Sequence, residues 1–345
     1  MFGLCAAALF GMSAPLAKLL LGEVEPILLA GLLYLGAATG LWLHRWLSPR
    51  SAEAGIGRKD WPALAGVVLS GGVAGPVLML MGLSRVSGLS GALLLNLEAP
   101  FTMALAVLLF REHMGRTAII AALAICSGAV LLDVQPALLD VRPGRADTAG
   151  ALLLAAACAC WALDNNLTQK LSLRDPFAIV RIKTLGAGCA NTALALLIVH
   201  SPLPGLGYLA AALVLGCLSY GVSVVLDAYA LRLVGAAREA AYFATAPIVG
   251  VLGSLVLLGE SIGAFQAMAM LAMFIGVALL IRERHAHVHT HDAIEHEHLH
   301  SHDEHHQHEH GPSDPPGEPH AHFHRHVPLV HDHPHVPDAH HRHRH

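Results

Sequence analysis

Long apolar stretches separated by short polar breaks form the pattern of residues 1–284. The hydrocarbon core of a bilayer is about 30 Å thick, which an α-helix of about 20 apolar residues spans. Because the stretches have this length, the pattern predicts an all-α integral membrane protein with ten transmembrane helices. The predicted spans are residues 2–21, 26–46, 61–83, 88–110, 115–135, 149–170, 176–199, 206–230, 237–259 and 262–282.

The second half of this pattern repeats the first half. Residues 97–132 and 244–280 carry proline, glutamate and two glycines in the same order. Each half holds five predicted helices, so the second half enters the membrane from the opposite side. We therefore expect two inverted five-helix repeats with a substrate site between them, as in many secondary transporters. The matched positions are Pro26/Pro176, Pro100/Pro247, Glu112/Glu260, Gly88/Gly235, Gly115/Gly263 and Gly128/Gly276.

The composition changes sharply after Arg284. Residues 285–345 contain 23 of the 26 histidines and a single aromatic residue, Phe323. Such a segment buries too little apolar surface to offset its chain entropy, so we expect it to be disordered. The predicted organisation is a first repeat at 1–140, a second repeat at 141–284 and a disordered, histidine-rich tail at 285–345.

Positive charges are distributed unequally between the two predicted faces of the membrane. Twelve arginines and lysines lie in the loops on the side of the N-terminus, and three lie in the opposite loops. By the positive-inside rule, both termini and the histidine-rich tail face the cytoplasm. We expect a multi-pass protein of a bacterial-type cytoplasmic (inner) membrane.

Ionisable and polar side chains inside the spans are the candidate substrate and coupling residues, because an isolated charge is unfavourable in hydrocarbon. Glu98 is either a proton carrier or a carboxylate held by a hydrogen bond or an ion pair, with Lys18 or Arg181 as its expected partner. Asp164 and Asn165 either contact the substrate or bond neighbouring helices. The candidates are Lys18, Asn96, Glu98, Asp164, Asn165, Arg181 and Asp227.

Two cations lie close together in the seventh span. Arg181 and Lys183 are two residues apart and cannot share one face of a helix. We expect one to line the cavity and the other to extend toward the headgroups. Two cations inside the span favour an anionic or zwitterionic substrate. Asp227 in the eighth span is either a second proton or cation carrier or the partner of Arg232.

The segments "LFGMSAPLAKLLLGEVEP" (9–26) and "LLLNLEAPFTMALAVLLFREHMG" (93–115) resemble those of drug/metabolite transporters of the EamA type. In the second segment, Glu98, Pro100 and Glu112 fit the family pattern, followed by a glycine-containing helix. The resemblance covers about residues 1–283. Members of this family move small organic molecules, so the resemblance implies a permease or exporter of a small metabolite without naming the substrate.

The sequence contains no phosphate-binding loop, dinucleotide fingerprint, zinc-protease motif or nucleophile elbow. We therefore predict that the protein is not an enzyme, needs no cofactor for transport and does not bind nucleic acid. Gly36 and Gly40 have the spacing of close helix contacts, either within one chain or at the face of a possible homodimer. The expected partners are the lipid bilayer, a small-molecule substrate and transition-metal ions.

The pattern His-x-His recurs along the tail, with carboxylates between the imidazoles. Neutral imidazole is a common ligand of divalent Zn, Ni, Co and Cu ions, and the tail has no thiol. The predicted metal ligands are His285, His287, His289, His291, His296, His298, His300, His302, His305, His306, His308, His310, His320, His322, His324 and His326.

These features predict a secondary transporter that works by alternating access and carries a cytosolic tail that binds divalent transition metals and regulates it. One alternative is a direct transporter of ions such as Ni, Co or Zn. The histidines outside the tail, His44, His113 and His200, lie at the ends of spans, which disfavours that alternative. A second alternative is a membrane-tethered metal buffer or sensor in which the helices serve as an anchor.

Overall fold

The structure is a computed structural model. It describes residues 1–47, 55–110, 115–139, 148–171, 174–234, 242 and 245–282, and four strands after residue 284. Fourteen α-helices are described in these ranges. They are α1 (Phe2–Gly11), α2 (Ser13–Leu20), α3 (Pro26–Leu47), α4 (Trp61–Val67), α5 (Gly75–Leu83), α6 (Gly88–Leu94), α7 (Glu98–Phe110), α8 (Arg116–Leu139), α9 (Thr148–Gln169), α10 (Pro176–Leu194), α11 (Leu206–Gly216), α12 (Ser223–Val234), α13 (Ala246–Leu257) and α14 (Ala264–Arg282).

Eight helical stretches in the described residues are long and apolar enough to cross a membrane. Each falls on one of the predicted spans. The other two predictions, at 115–135 and 237–259, fall on apolar helices with shorter described parts, Arg116–Leu132 and Ala246–Leu257. Up to residue 282, the described chain is therefore an all-helical, multi-pass membrane protein. Ten spans and an inverted repeat stay predictions.

Segments of other helical types interrupt the spans. A first π segment (Val68–Ala74) separates α4 from α5, and a second π segment (Cys217–Val222) separates α11 from α12. Both contain glycine, which lowers the stability of a regular α-helix. Single-turn π segments are often found at functional positions. Further short segments are the 3₁₀ turns Arg58–Asp60 and Leu95–Leu97 and the π turn Ala195–Val199.

Glycines bring helices of the two halves into close contact. Gly36 on α3 lies against the backbone carbonyl of Leu213, and Gly216 on α11 lies against that of Leu33. A Cβ at either glycine would overlap backbone atoms. Gly40 lies 2.9 Å from the Cys217 sulfur, measured from the Cβ it would carry. The Gly36/Gly40 pair therefore packs within the chain, in the way small residues do between membrane helices.

Three tryptophans mark one end of the bundle. Trp42 and Trp46 lie on the last turns of α3, and Trp61 begins α4. Their side chains are 45%, 82% and 53% exposed. Tryptophan is enriched at membrane–water interfaces because its ring is largely apolar and its N–H is polar. We infer that this end of the bundle lies at one membrane surface.

Four short strands lie in the tail. β1 (His285–His291) pairs with β4 (Leu329–His335), and β2 (Glu295–His300) pairs with β3 (His320–Arg325), both antiparallel. The His-x-His pattern has the two-residue period of a strand. The predicted disorder of the tail stays a prediction for these residues. The rest of the tail lies outside the described residues, and its predicted disorder stays a prediction.

We predict that Gly216→Ala destabilises the protein, because the new methyl group would overlap the Leu33 backbone. Overpacking of this kind costs about 1–3 kcal/mol. Gly207→Ala on the same helix is the matched control, since nothing lies within 4 Å of a Cβ there. Thermal unfolding in detergent measures both. Equal unfolding temperatures for the two variants would contradict the close packing of α3 against α11.

Candidate functional site

Side chains from three helices bind backbone carbonyls of the first π segment. The Tyr34 hydroxyl on α3 and the Trp161 indole N–H on α9 both donate to the Gly71 carbonyl, at 2.9 and 3.1 Å. The Asn191 amide on α10 donates to the Gly72 carbonyl at 3.1 Å. Backbone groups inside a membrane must be satisfied within the protein. These three side chains therefore fix the first π segment near the middle of its span.

A buried ion pair lies directly against this segment. Lys183 on α10 binds the Asp164 carboxylate on α9, and the two side chains are 19% and 5% exposed. The carboxylate fills the space beside Gly71, where a Cβ would overlap it. Thr168 also donates to Asp164, at 3.3 Å. Each charge compensates the other, which makes the burial of both possible.

Glu98 lies beside this pair at the start of α7. Its carboxylate accepts a hydrogen bond of 2.7 Å from the Asn165 amide, and Asn165 also reaches the Thr102 hydroxyl at 3.4 Å. Glu98 is close enough to Lys183 and Asp164 to interact with their charges. Asn165 is exposed and lies one turn before the end of its span, and Glu98 is partly exposed near the middle of its span. Polar groups at such a position are expected to line a cavity. We call Tyr34, Gly71, Glu98, Trp161, Asp164, Asn165 and Lys183 the central cluster.

The structure places Lys18 and Arg181 away from Glu98. Lys18 donates to the carbonyls of Leu83 and Val86, at 2.5 and 2.7 Å. Arg181 lies 3.5 Å from Asp175. The expected pairing of Glu98 with either cation is therefore wrong. Asn165 takes that place because α7 and α9 pack side by side.

The two cations of α10 are both neutralised. Lys183 binds Asp164, and Arg181 binds Asp175 near the start of the helix. Lys183 lies at the central cluster, whereas Arg181 reaches back to Asp175 at the start of the helix. The expectation that one of the two cations extends toward the headgroups stays a prediction. Because each positive charge has a carboxylate partner, the two cations no longer favour an anionic or zwitterionic substrate.

Two further candidates, Asn96 and Asp227, make no described hydrogen bond to the central cluster. Asn96 is buried and donates to the Leu93 carbonyl at 2.9 Å, a bond within its own turn. One carboxylate oxygen of Asp227 is buried and accepts no hydrogen bond from the described residues. The side chain of Arg232 lies outside the described residues, so its pairing with Asp227 stays a prediction.

Sequence reasoning missed the aromatic members of the site. Tyr34 stacks on Tyr220 with ring centroids 6.0 Å apart. A signal was present in the repeat. The first π segment contains "LSGGV" (69–73), and the second contains "LSYGV" (218–222), so Tyr220 occupies the place of Gly71.

The predicted metal ligands lie in the tail, where the structure describes the backbone of four strands. Among the residues described with their side chains, no group of three or more His, Cys, Asp or Glu is placed to hold a metal ion. His44 at the end of α3 instead contacts the Phe177 ring, with centroids 5.0 Å apart, and the Tyr229 hydroxyl at 3.1 Å. Metal binding by the tail stays a prediction.

We predict that Asp164→Asn or Lys183→Met alone destabilises the protein, because each leaves one buried charge uncompensated. The loss is about 3–5 kcal/mol for each single variant, and the double variant recovers most of it. Thermal unfolding of the wild type, the two single variants and the double variant in detergent gives the coupling energy between the two side chains. The matched control is Asp60 with Arg174, a pair at 2.8 Å whose arginine is 33% exposed and whose coupling we expect to be below about 1 kcal/mol. Additive losses at 164 and 183 would contradict the proposed pairing.

The helical part of the chain is similar to known transporters. The EamA-like transporter family matches residues 1–133 and 148–282. An "Uncharacterized transporter" of Methanothermobacter thermautotrophicus is 29% identical over 288 residues, covering 80% of this chain and 83% of that protein. A solved structure described as "Crystal structure of protein" has a TM-score of 0.59 at 20% identity, over 81% of this chain and 94% of the other, and shows the fold alone. The chain belongs to the EamA-like transporter family and is a membrane transporter rather than an enzyme.

Proposed function

We propose that the protein is a secondary transporter that exports a small metabolite by alternating access, and that the central cluster is its substrate and coupling site. One observation carries this proposal. Glu98 and Asn165 are accessible and hydrogen-bonded to each other inside the spans, beside a buried ion pair and an interrupted helix. Transporters bind substrates and ions near the membrane midplane, at interrupted helices between the two halves.

Equivalent helices of the two halves each pack against the π segment of the other half, which supports the inverted repeat. α3 packs against the second π segment, and α10 packs against the first. The two helices also begin alike. Glu25 accepts the Leu28 N–H at the start of α3, and Asp175 accepts the Phe177 N–H at the start of α10, both at 2.9 Å. Two halves related by a pseudo-twofold axis in the membrane plane are expected to make such exchanged contacts.

Glu98 is the residue that we propose carries the coupling proton. When it loses its proton, the carboxylate keeps the Asn165 amide as a donor and adds a negative charge near Lys183. When it takes up a proton, that charge disappears and the Asn165 amide is released to a polar group of the substrate. One proton is bound on one side of the membrane and released on the other. The π segments are the points at which the spans bend during this change.

The chemistry of the central cluster disfavours direct transport of transition metals. The cluster offers carboxylates, amides and one ammonium, whereas Zn, Ni, Co and Cu ions favour imidazole or thiolate ligands. A buried ion pair inside the spans also disfavours a simple anchor for a metal-buffering tail, because charges are retained there when they have a function. A metabolite transporter remains the best-supported function.

We further propose that the tail binds divalent Zn, Ni, Co or Cu ions and regulates transport from the cytoplasm. The charge bias of the loops supports cytoplasmic termini in a cytoplasmic membrane. The recurring His-x-His pattern supports metal binding, since neighbouring imidazoles along a chain can share one ion. Transport itself then needs no cofactor.

We predict that Glu98→Gln abolishes uptake driven by a pH gradient, because an amide cannot carry the proton. Purified protein in proteoliposomes is supplied with pooled metabolites, and accumulation is measured with and without the gradient. The variant retains exchange of the transported metabolite across the membrane without a gradient. Glu23→Gln is the matched control, an exposed carboxylate in the loop before α3. Unchanged pH-driven accumulation in Glu98→Gln would reject Glu98 as the coupling residue.

We predict that a chain ending at Arg284 loses metal binding but keeps transport. Equilibrium dialysis against Zn²⁺ and Ni²⁺ compares it with the full-length protein, which we expect to bind several ions through the tail histidines. Added metal should then change the transport rate of the full-length protein only. Metal flux through both proteins would favour direct metal transport, and equal metal binding by both would reject the tail as the binding segment.

A further inference from the structure

One carboxylate joins the two halves at an end of the bundle, away from the central cluster. Glu260 lies between α13 and α14. Its two oxygens accept the backbone N–H groups of Gly88 and Leu89, each at 2.7 Å. These N–H groups begin α6, where no carbonyl of the same helix is available to them. A negative charge at this position also interacts favourably with the helix dipole.

The start of α6 fits closely against the end of α13. A Cβ at Gly88 would overlap the Leu258 side chain and lie 2.9 Å from the Ser254 hydroxyl oxygen. Ser254 and Leu258 belong to the same turn as Glu260, whose N–H donates to the Ser254 carbonyl at 3.4 Å. The absence of a side chain at position 88 therefore lets the carboxylate reach both N–H groups.

Lys18 holds the same region from another side. Its ammonium group donates to the carbonyls of Leu83 and Val86, which flank the loop between α5 and α6. Lys18 is also close enough to Glu260 for their charges to attract each other. Lys18 on α2 thus holds the loop before α6. Glu260 of the second half holds the start of α6 itself.

We propose that Glu260 is a latch that holds this end of the transporter closed and releases α6 when this end opens. The proposal rests on the alternating-access function proposed above. The opposite end of the span Arg58–Leu83 has its own connection between the halves, from Arg174 to Asp60 at 2.8 Å. In alternating access the two ends open in turn, so a contact between the halves at each end must form and break once in each cycle.

Distances between spin labels test this proposal. Labels at Ser84 and Ser261, both exposed, report the Glu260 end, and labels at Lys59 and Lys170 report the opposite end. Each pair is introduced into a protein whose six cysteines are replaced, in lipid nanodiscs. We expect Glu260→Gln to raise the ratio of long to short distances at the Glu260 end by about tenfold, since hydrogen bonds to a charged group are lost. Distances at the opposite end should become shorter or stay unchanged.

Three further variants make the result decisive. Glu260→Asp keeps the charge and should lie between the wild type and Glu260→Gln. Glu23→Gln removes an exposed carboxylate at the same end and should change nothing. Lys18→Met removes the bonds to the loop and the nearby positive charge but keeps the Glu260 side chain. It should shift the same distances in the same direction if Glu260→Gln does not fold.

Two outcomes would overturn the latch. One is an unchanged distribution for Ser84 and Ser261 in Glu260→Gln. The other is equal broadening at both ends, which indicates a general loss of structure. These distances are measured without substrate, so they are independent of the transport assay. A wild-type protein that moves no metabolite would reject the proposed function, whereas unchanged distances reject the latch alone.

Discussion

The first π segment creates the constraint on which the central cluster depends, because its backbone carbonyls must find donors inside a membrane. Tyr34, Trp161 and Asn191 supply those donors to Gly71 and Gly72 from three different helices. Each donor comes from a span that must hold its position for the bond to persist. The interrupted helix therefore connects the two halves. A movement of any one of these spans shifts the groups around Asp164, Lys183 and Glu98.

The same constraint explains why the two halves differ in chemistry. In the first π segment, glycine at position 71 leaves room for the Asp164 carboxylate, which binds Lys183. In the second, Tyr220 fills the equivalent place and stacks on the Tyr34 ring. The ion pair thus occupies one half, although the backbone arrangement recurs in both.

Hydropathy was sufficient to predict the helical membrane fold, since span length follows directly from bilayer thickness. It also drew attention to Glu98, Asp164 and Asn165, because polar residues are rare in such spans. It could not supply their partners, which depend on which helices pack together. Helix packing places Lys18 against backbone carbonyls near one end of the bundle. It places Glu98 against the Asn165 amide instead of a cation. The π segments were also missed, because an inserted residue in a helix leaves no trace in hydropathy.

The most direct test of this account is the proton released or taken up when substrate binds to the central cluster. It is measured with a pH indicator in weakly buffered detergent solution, using the metabolite identified in proteoliposomes. The account predicts proton exchange in the wild type and none in Glu98→Gln, with binding of that metabolite retained in the variant. Proton exchange of the same size in Glu98→Gln would contradict the claim that the central cluster couples protons to transport.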